Sequence, residues 1–337
     1  MAIFSGPVID FHIHYSPRAL IEDKLRLLKS PDDRVTRYVD GVPASTIHHL
    51  LHQLDRHLTM MDESGVDLVV LSSAEGMRGS LATCQAVNEA MAEAMRRYPG
   101  RVIGMAHTNP LDGEGGLKEL DRAIGELGLR GVAIPSTLGG RGLDAPELWP
   151  FYAKVQALDT FLFVHPALSE PTLGYQGFDA YDLYRTVGRE FDLVLATIRL
   201  IAGGVLDAFP NLRILIAHLG GGLSALMGRI KNYQDKAFWG VAEDPRHGKV
   251  AARPFEEYLS RLYFDTAGHF GDMTAVEAAR LNIPSTQLVL GTDYPQEIRE
   301  EREVGEFVHQ LKTAAWSPAE RQGILGGNGL ALLGGLS

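Results

Sequence analysis

The chain is 337 residues long, about twice an ordinary domain of roughly 150, so length alone allows one large domain or two ordinary ones. Its 32 Lys and Arg against 42 Asp and Glu give a formal charge of −10, which argues against a nucleic acid or an anionic membrane surface as partner, since counter-charge supplies much of that binding. The single cysteine, Cys84, excludes an intramolecular disulfide framework and a cysteine-based metal cluster, and 45% apolar residues suffice for a large core.

In chain order, short runs rich in Val, Ile and Leu occur at Val8–Phe11, Val66–Ser72, Val102–His107, Gly131–Ile134, Phe161–His165, Ile214–His218, Leu262–Asp265 and Leu288–Gly291. Their apolar character is continuous rather than alternating, the pattern of parallel strands covered on both faces. Helical periodicity fills the intervals at Leu81–Arg97, Gly115–Leu127, Ala145–Leu158, Glu190–Phe209, Ser224–Gln234 and Ala275–Leu281. Two more helical segments, Glu297–Lys312 and Pro318–Leu333, follow the last run. Eight strands alternating with helices predict an α/β protein, a (β/α)8 TIM barrel, with residues 1–337 forming one domain and extra helices at the C-terminal end. An open doubly wound sheet is the alternative. It would want a Gly-rich fingerprint after an early strand, whereas Gly220-Gly221-Gly222 follows the sixth and lacks the G-x-G-x-x-G spacing.

The longest interruption, at about residues 15–58, holds the loop-forming Ser30-Pro31-Asp32-Asp33 and Asp40-Gly41-Val42-Pro43. Following the first strand of a barrel, it falls on the active-site face and is expected to cover the site. Ser45–Met61 reads as a helical stretch carrying His48, His49, His52 and His57. His48 and His52 are i,i+4 neighbours, but no H-E-x-x-H pattern accompanies them, which favours a surface or lid helix over a metal site. Met1–Pro7 lacks the charged and apolar regions of a signal peptide, and no apolar run reaches about 18 residues, so a cytoplasmic protein with no membrane span is expected.

Twelve histidines are a mild excess whose positions matter more than their number. Asp10-Phe11-His12-Ile13-His14 ends the first strand, and residues i and i+2 of a strand share a face, so His12 and His14 point together. His165 ends the fifth strand in Phe163-Val164-His165-Pro166, and His218 the sixth in Ala217-His218-Leu219. Asp293 follows the eighth in Gly291-Thr292-Asp293-Tyr294-Pro295. One histidine after a strand is commonly structural. Three histidine-bearing strands and one Asp-bearing strand on a common rim point to a shared site, at the end where barrels carry their catalytic groups. His12, His14, His165 and Asp293 offer the nitrogen and oxygen donors that one divalent ion accepts, Zn²⁺ first and Mn²⁺ as the alternative, with a position left for water or substrate.

These motifs, with Met61-Asp62-Glu63-Ser64-Gly65-Val66 before the second strand and Gly327-Asn328-Gly329 near the end, resemble the amidohydrolase superfamily over about Val8–Leu333. Within it they resemble the branch of aminocarboxymuconate-semialdehyde decarboxylase and gamma-resorcylate decarboxylase. The resemblance implies His12, His14, His165 and Asp293 as metal ligands and His218 as the active-site acid/base. It also implies a small carboxylic acid substrate and a homodimer or larger homo-oligomer. Other members bridge two metals with a carboxylated lysine on strand four; Gly131–Ser136 holds none, which favours one metal. The branch places a carboxylate-binding arginine on the first long loop, where Arg37 is the choice and Arg18 and Arg34 compete. His107 and His269 reach the rim by position and are candidate substrate contacts. Tyr184, Tyr181 and Phe178 read as packing or as a wall for an aromatic substrate, Glu170 as a solvated loop carboxylate, and Glu190–Phe209 as barrel cover or subunit contact. The reaction expected is non-oxidative decarboxylation of an aromatic or muconate-like acid. The same site would serve a hydrolase of a lactone, ester or amide, with Asp293 taking the proton of a metal-bound water, or a hydratase of an unsaturated carboxylate.

Overall fold

The structure, a computed structural model, describes residues 6–39, 42–167, 181–234 and 251–335. Eight short strands carry it: β1 (Ile9–His14), β2 (Leu68–Ser72), β3 (Val102–Gly104), β4 (Val132–Pro135), β5 (Phe161–His165), β6 (Arg213–Ile216), β7 (Leu262–Asp265) and β8 (Leu288–Val289). All pairings between them are parallel: β1 with β2 and β2 with β3, then β4 through β8 each with the next. Two bridges join these sets into a ring, Ala106 with Val132 beyond the end of β3, and Tyr294 beyond β8 with Ile13 on β1. Main-chain bonds hold each junction, Ala106 N–H to Gly131 O on one side and His14 N–H to Tyr294 O on the other, both 2.8 Å. The ring is the (β/α)8 barrel that the eight apolar runs predict. Strands β1 to β5 are buried along their whole length because side chains of one face fill the barrel while those of the other meet the helices. No helix among the described residues is long and apolar enough to cross a membrane.

The helix Leu81–Arg97 forms over the range that its periodicity predicts, with the Ser80 hydroxyl accepting from Thr83 N–H at its start. Three other segments differ. Ser45–Ile47 is not helical: it lies in the strand Val42–Ile47, antiparallel to Val35–Val39, where β-branched Val35, Thr36, Thr46 and Ile47 outweigh the helical spacing. His49–His52 is a single tight turn, and the helix proper runs Leu54–Ser64. Glu190–Phe209 is two helices, Arg189–Ala202 and Val205–Ala208, parted at Gly203-Gly204, where Gly204 takes φ +78°, a backbone region that favours glycine. Pro318–Leu333 is likewise interrupted by a wide turn at Gly323–Gly327. The hairpin and the helix Arg18–Leu25 have a small core of their own, Ile21, Leu25, Ile47 and Leu51, separate from the main core of the barrel.

One buried charge stands out in the helix Arg189–Ala202. Asp192 is 1% exposed, and neither carboxylate oxygen has a hydrogen-bond partner. Burial pushes its carboxyl up to about 7, against the nearby Arg189. Because the folded-state value is raised above the unfolded one, the native state binds the extra proton, and stability falls as pH rises from about 4 to about 7. Asp192→Asn should therefore raise Tm by roughly 2 °C or more at pH 8 and leave it unchanged at pH 4. Equal melting shifts at the two pH values would refute this reading.

Candidate metal centre and active site

Each candidate donor sits on the C-terminal rim of the barrel because a strand delivers it there. His12 and His14 share one face of β1, His165 ends β5, and Asp293 follows β8. All four are at most 5% exposed, and their ligand atoms lie within 4.8 Å of one another. His14 Nε2 is 2.8 Å from Asp293 Oδ1, and His12 Nε2 is 3.3 Å from His14 Nε2. Two imidazole nitrogens bound tetrahedrally to Zn²⁺ would stand about 3.3 Å apart, so this spacing is that of a metal chelate.

The outer ring nitrogens fix what the inner ones present. The His165 Nδ1–H donates to the Pro166 carbonyl at 2.9 Å; a carbonyl can only accept, so Nε2 keeps its lone pair. His12 Nδ1 lies 2.9 Å from Asp265 Oδ2, which turns the His12 Nε2 lone pair inward in the same way. Burial holds His14 below its ordinary value and His165 well below it, keeping both neutral as ligands must be. Burial also acts against a charge on His12, but Asp265 and Asp293 draw its imidazole up. Three inward nitrogens and a carboxylate thus fit a divalent ion. Strand β4 ends in Pro135, and Ser136 Oγ beyond it accepts from Ala167 N–H.

His218 faces the same space. Its Nδ1 is 2.9 Å from Glu190 Oε1, and its ring stacks on His12 with centroids 5.2 Å apart. Its Nε2, buried and without a hydrogen-bond partner, lies 3.8 Å from Asp293 Oδ2. Burial opposes the charged imidazole, but Glu190 and its neighbouring carboxylates outweigh it and hold His218 up at about 10. The backbone around it is strained: His218, Leu219 and Asp293 all take φ between 53° and 56°. Two glycines make room. A Cβ on Gly268 would meet His218 Cγ at 2.3 Å, and one on Gly221 would meet the Glu190 carbonyl at 1.9 Å.

A cavity of about 420 Å³ opens over these groups. The insertion closes part of it: Ser45, Thr46 and Ile47 line it, and Gln296 Nε2 donates to Thr46 O at 3.0 Å. His269 lines it as expected. Arg37 does not; its guanidinium is 3.4 Å from Glu75 Oε1, and Glu75 is the group on the wall. Arg18 and Arg34 are not lining groups either. His107 is fully buried away from the cavity, where its Nε2 accepts from Ser73 N–H at 3.0 Å and burial depresses it to about 3, so packing is its role. His48 precedes the tight turn in extended conformation, and burial lowers it to about 4. Tyr184 is buried and Tyr181 is 89% exposed, whereas Glu170 and Phe178 lie outside the described residues.

Three acidic residues of the site are absent from the set that the sequence motifs pick out. Asp265, at the end of β7, accepts from the His218 and Ala267 backbone N–H groups as well as holding His12. Glu190 lies 28 residues before the histidine it binds. Glu297 sits with His218 and Asp293 in a second cluster of donors; burial and the charge of Asp293 push its carboxyl up to about 7. Only Glu297 had a cue, its place four residues after Asp293.

A (β/α)8 barrel with a His-x-His strand, two further strand-end histidines and an aspartate beyond the last strand defines a metal-dependent barrel enzyme. The amidohydrolase family model matches residues 9–335, and the chain belongs to that family. It is 29% identical over 288 residues to the 2-amino-3-carboxymuconate-6-semialdehyde decarboxylase of Dictyostelium discoideum, covering 83% of this chain and 76% of that one. It is 29% identical over 265 residues to the gamma-resorcylate decarboxylase of Polaromonas sp. (strain JS666), covering 74% and 78%. A dihydroxybenzoic acid decarboxylase from Polaromonas sp. JS666, solved with bound manganese and 2-nitroresorcinol, superposes with a TM-score of 0.77 over 98% of this chain and 97% of that one, at 23% identity.

Asp265→Asn removes the charge that orients His12 and should weaken metal affinity by about 10- to 100-fold, as measured by competition with a chromogenic chelator. An unchanged affinity would remove Asp265 from the metal site.

Proposed function

We propose that the chain is a metal-dependent, non-oxidative decarboxylase of a small aromatic or unsaturated, muconate-like carboxylic acid. The observation that carries this reading is the buried, unpartnered Nε2 of His218, backed by Glu190 and set 3.8 Å from Asp293 beside the donor set. The named decarboxylases among its relatives support it.

His12, His14, His165 and Asp293 would hold the ion, which supplies a Lewis acid to bind and polarise the substrate carboxylate and a neighbouring oxygen. His218, protonated and aimed into the cavity, delivers its proton to the carbon bearing that carboxylate. The substrate's π electrons form the new C–H bond. The C–CO2 bond then breaks, its electron pair restores the π system, and CO2 leaves. Glu190 keeps the imidazole oriented and stabilises its charged form before transfer. Three nitrogens with one carboxylate favour Zn²⁺, and the manganese in the dihydroxybenzoic acid decarboxylase makes Mn²⁺ the alternative.

Elemental analysis of the purified protein should find one divalent ion per chain, lost in His12→Ala and in Asp293→Ala; full metal content in either variant would break the ligand assignment. Incubation with hydroxybenzoates and carboxymuconate-type acids should release CO2. Silence across that panel together with turnover of lactones or esters would reject decarboxylation. His218→Ala should keep its metal and lose turnover by about 10²- to 10⁴-fold; near wild-type rates would remove His218 from the chemistry.

A further inference from the structure

We propose that His218, Glu297 and the second oxygen of Asp293 form a weaker site for a second divalent cation, and that an ion there inhibits the enzyme. The inhibition rests on the decarboxylase reading; the binding does not.

The cluster is built at two places on the rim. Asp293 and Glu297 are i,i+4 neighbours on the turn after β8, where Glu297 N–H donates to the Asp293 carbonyl at 3.0 Å. His218 meets them from the end of β6, and the three ligand atoms lie within 4.8 Å of one another. Asp293 turns its two oxygens to different partners. Oδ1 is 2.8 Å from His14 Nε2 in the first donor set, and Oδ2 is 3.8 Å from His218 Nε2. A carboxylate placed this way can bridge two ions, which in paired sites stand about 3.5–4 Å apart.

His218 is prepared as a ligand in the way His12 is. His12 Nδ1 lies 2.9 Å from Asp265 Oδ2, and His218 Nδ1 lies 2.9 Å from Glu190 Oε1. A carboxylate behind the ring is the common support of a metal-bound imidazole, because it fixes the outer N–H and aims the inner nitrogen. His218 is 5% exposed, and that inner Nε2 makes no hydrogen bond. Glu297 lines the cavity, where its Oε2 accepts from Phe270 N–H at 3.4 Å.

This arrangement differs from the lysine-bridged pair of ions in other members of the family. Strand β4 ends in Pro135, His165 belongs to the first donor set, and the bridge here is Asp293. Two dications this close repel, and the second must displace a proton from His218, so it binds more weakly than the first. Three protein donors with a position left open suit Zn²⁺. An ion on Nε2 stands where the donated proton would be, at the wall of the cavity that takes the substrate. The chain with one ion is then the active form and the chain with two the inhibited one.

The test reads binding first and turnover second. Equilibrium dialysis of the metal-loaded full-length protein against rising Zn²⁺, followed by elemental analysis, should show a second ion per chain, held more weakly than the first. Glu297→Gln and His218→Ala should each keep the first ion and weaken the second at least about tenfold, since losing even an orienting partner of a ligand costs about 10- to 100-fold. His52→Ala should leave both ions in place, which separates this site from the histidine pair His49 and His52, whose rings are 5.8 Å apart. CO2 release by the wild-type protein should fall at least about tenfold as the second ion binds, because the proton donor is blocked. The rate of Glu297→Gln, relative to its own value without added ion, should hold at the same Zn²⁺ concentration. One ion per chain throughout the dialysis would overturn the proposal, as would a second ion that both variants hold unweakened or that His52→Ala loses. CO2 release that the bound second ion fails to slow would overturn the inhibitory role. If the second ion binds as stated while no acid of the panel releases CO2, the decarboxylase reading fails and the cation site stands; CO2 release with a single ion per chain gives the converse.

Discussion

The site depends on the carboxylate of Asp265. One oxygen faces His12 Nδ1, and the other accepts from the His218 backbone N–H and from Ala267. A single group at the end of β7 thereby sets the lone pair of a metal donor on β1 and the chain direction at the end of β6. Asp10 plays the matching part at the seam of the barrel: its Oδ1 accepts from His12 N–H and Thr292 N–H, and its Oδ2 from the Thr292 hydroxyl at 2.6 Å. With Asp293 N–H bonded to the His12 carbonyl, the first strand and the loop after the last one are locked in register. Ring closure and donor convergence are therefore one constraint. A slip at the seam would carry Asp293 away from His14.

How much of this is legible in the sequence follows from where each group stands in the chain. The barrel shows because its strands are continuous apolar runs, and the four metal donors and His218 show because each directly follows or ends such a run. Asp265 also ends a strand, but an aspartate there reads as a loop residue until its partners on β1 and β6 are brought beside it. Glu190 is hidden more deeply. It opens a helix, a place where acidic residues are common, and only the closed barrel places it against His218. Arg37 and His107 show the opposite failure. Their positions on the first long loop and after β3 suit substrate binding, but the fold uses Arg37 to balance Glu75 and His107 to accept a backbone N–H. The hairpin at Val35–Ile47 escaped because helical spacing and β-branched composition compete over the same few residues, and pairing between its two strands decides the outcome.

The net charge of −10 hides a site whose carboxylates are each set against a cation or a donor. Asp265 and Asp293 face imidazoles, Glu190 faces His218, and Glu75 faces Arg37. Buried charges at this density are tolerated because they are paired, and breaking a pair costs more than the pair itself contributes. The left-handed backbone at His218, Leu219 and Asp293 is a further cost, on the order of 1–3 kcal/mol per residue, which the surrounding bonds must over-determine.

That strain and the first turn of the helix Arg189–Ala202 belong to one arrangement. His218 can take its conformation only because Gly268 leaves space for the ring and Gly221 lets the Glu190 backbone approach. The approach brings the Glu190 carboxylate onto Nδ1 and leaves Nε2 facing the cavity. It also carries the adjacent Arg189 to the wall of that same cavity.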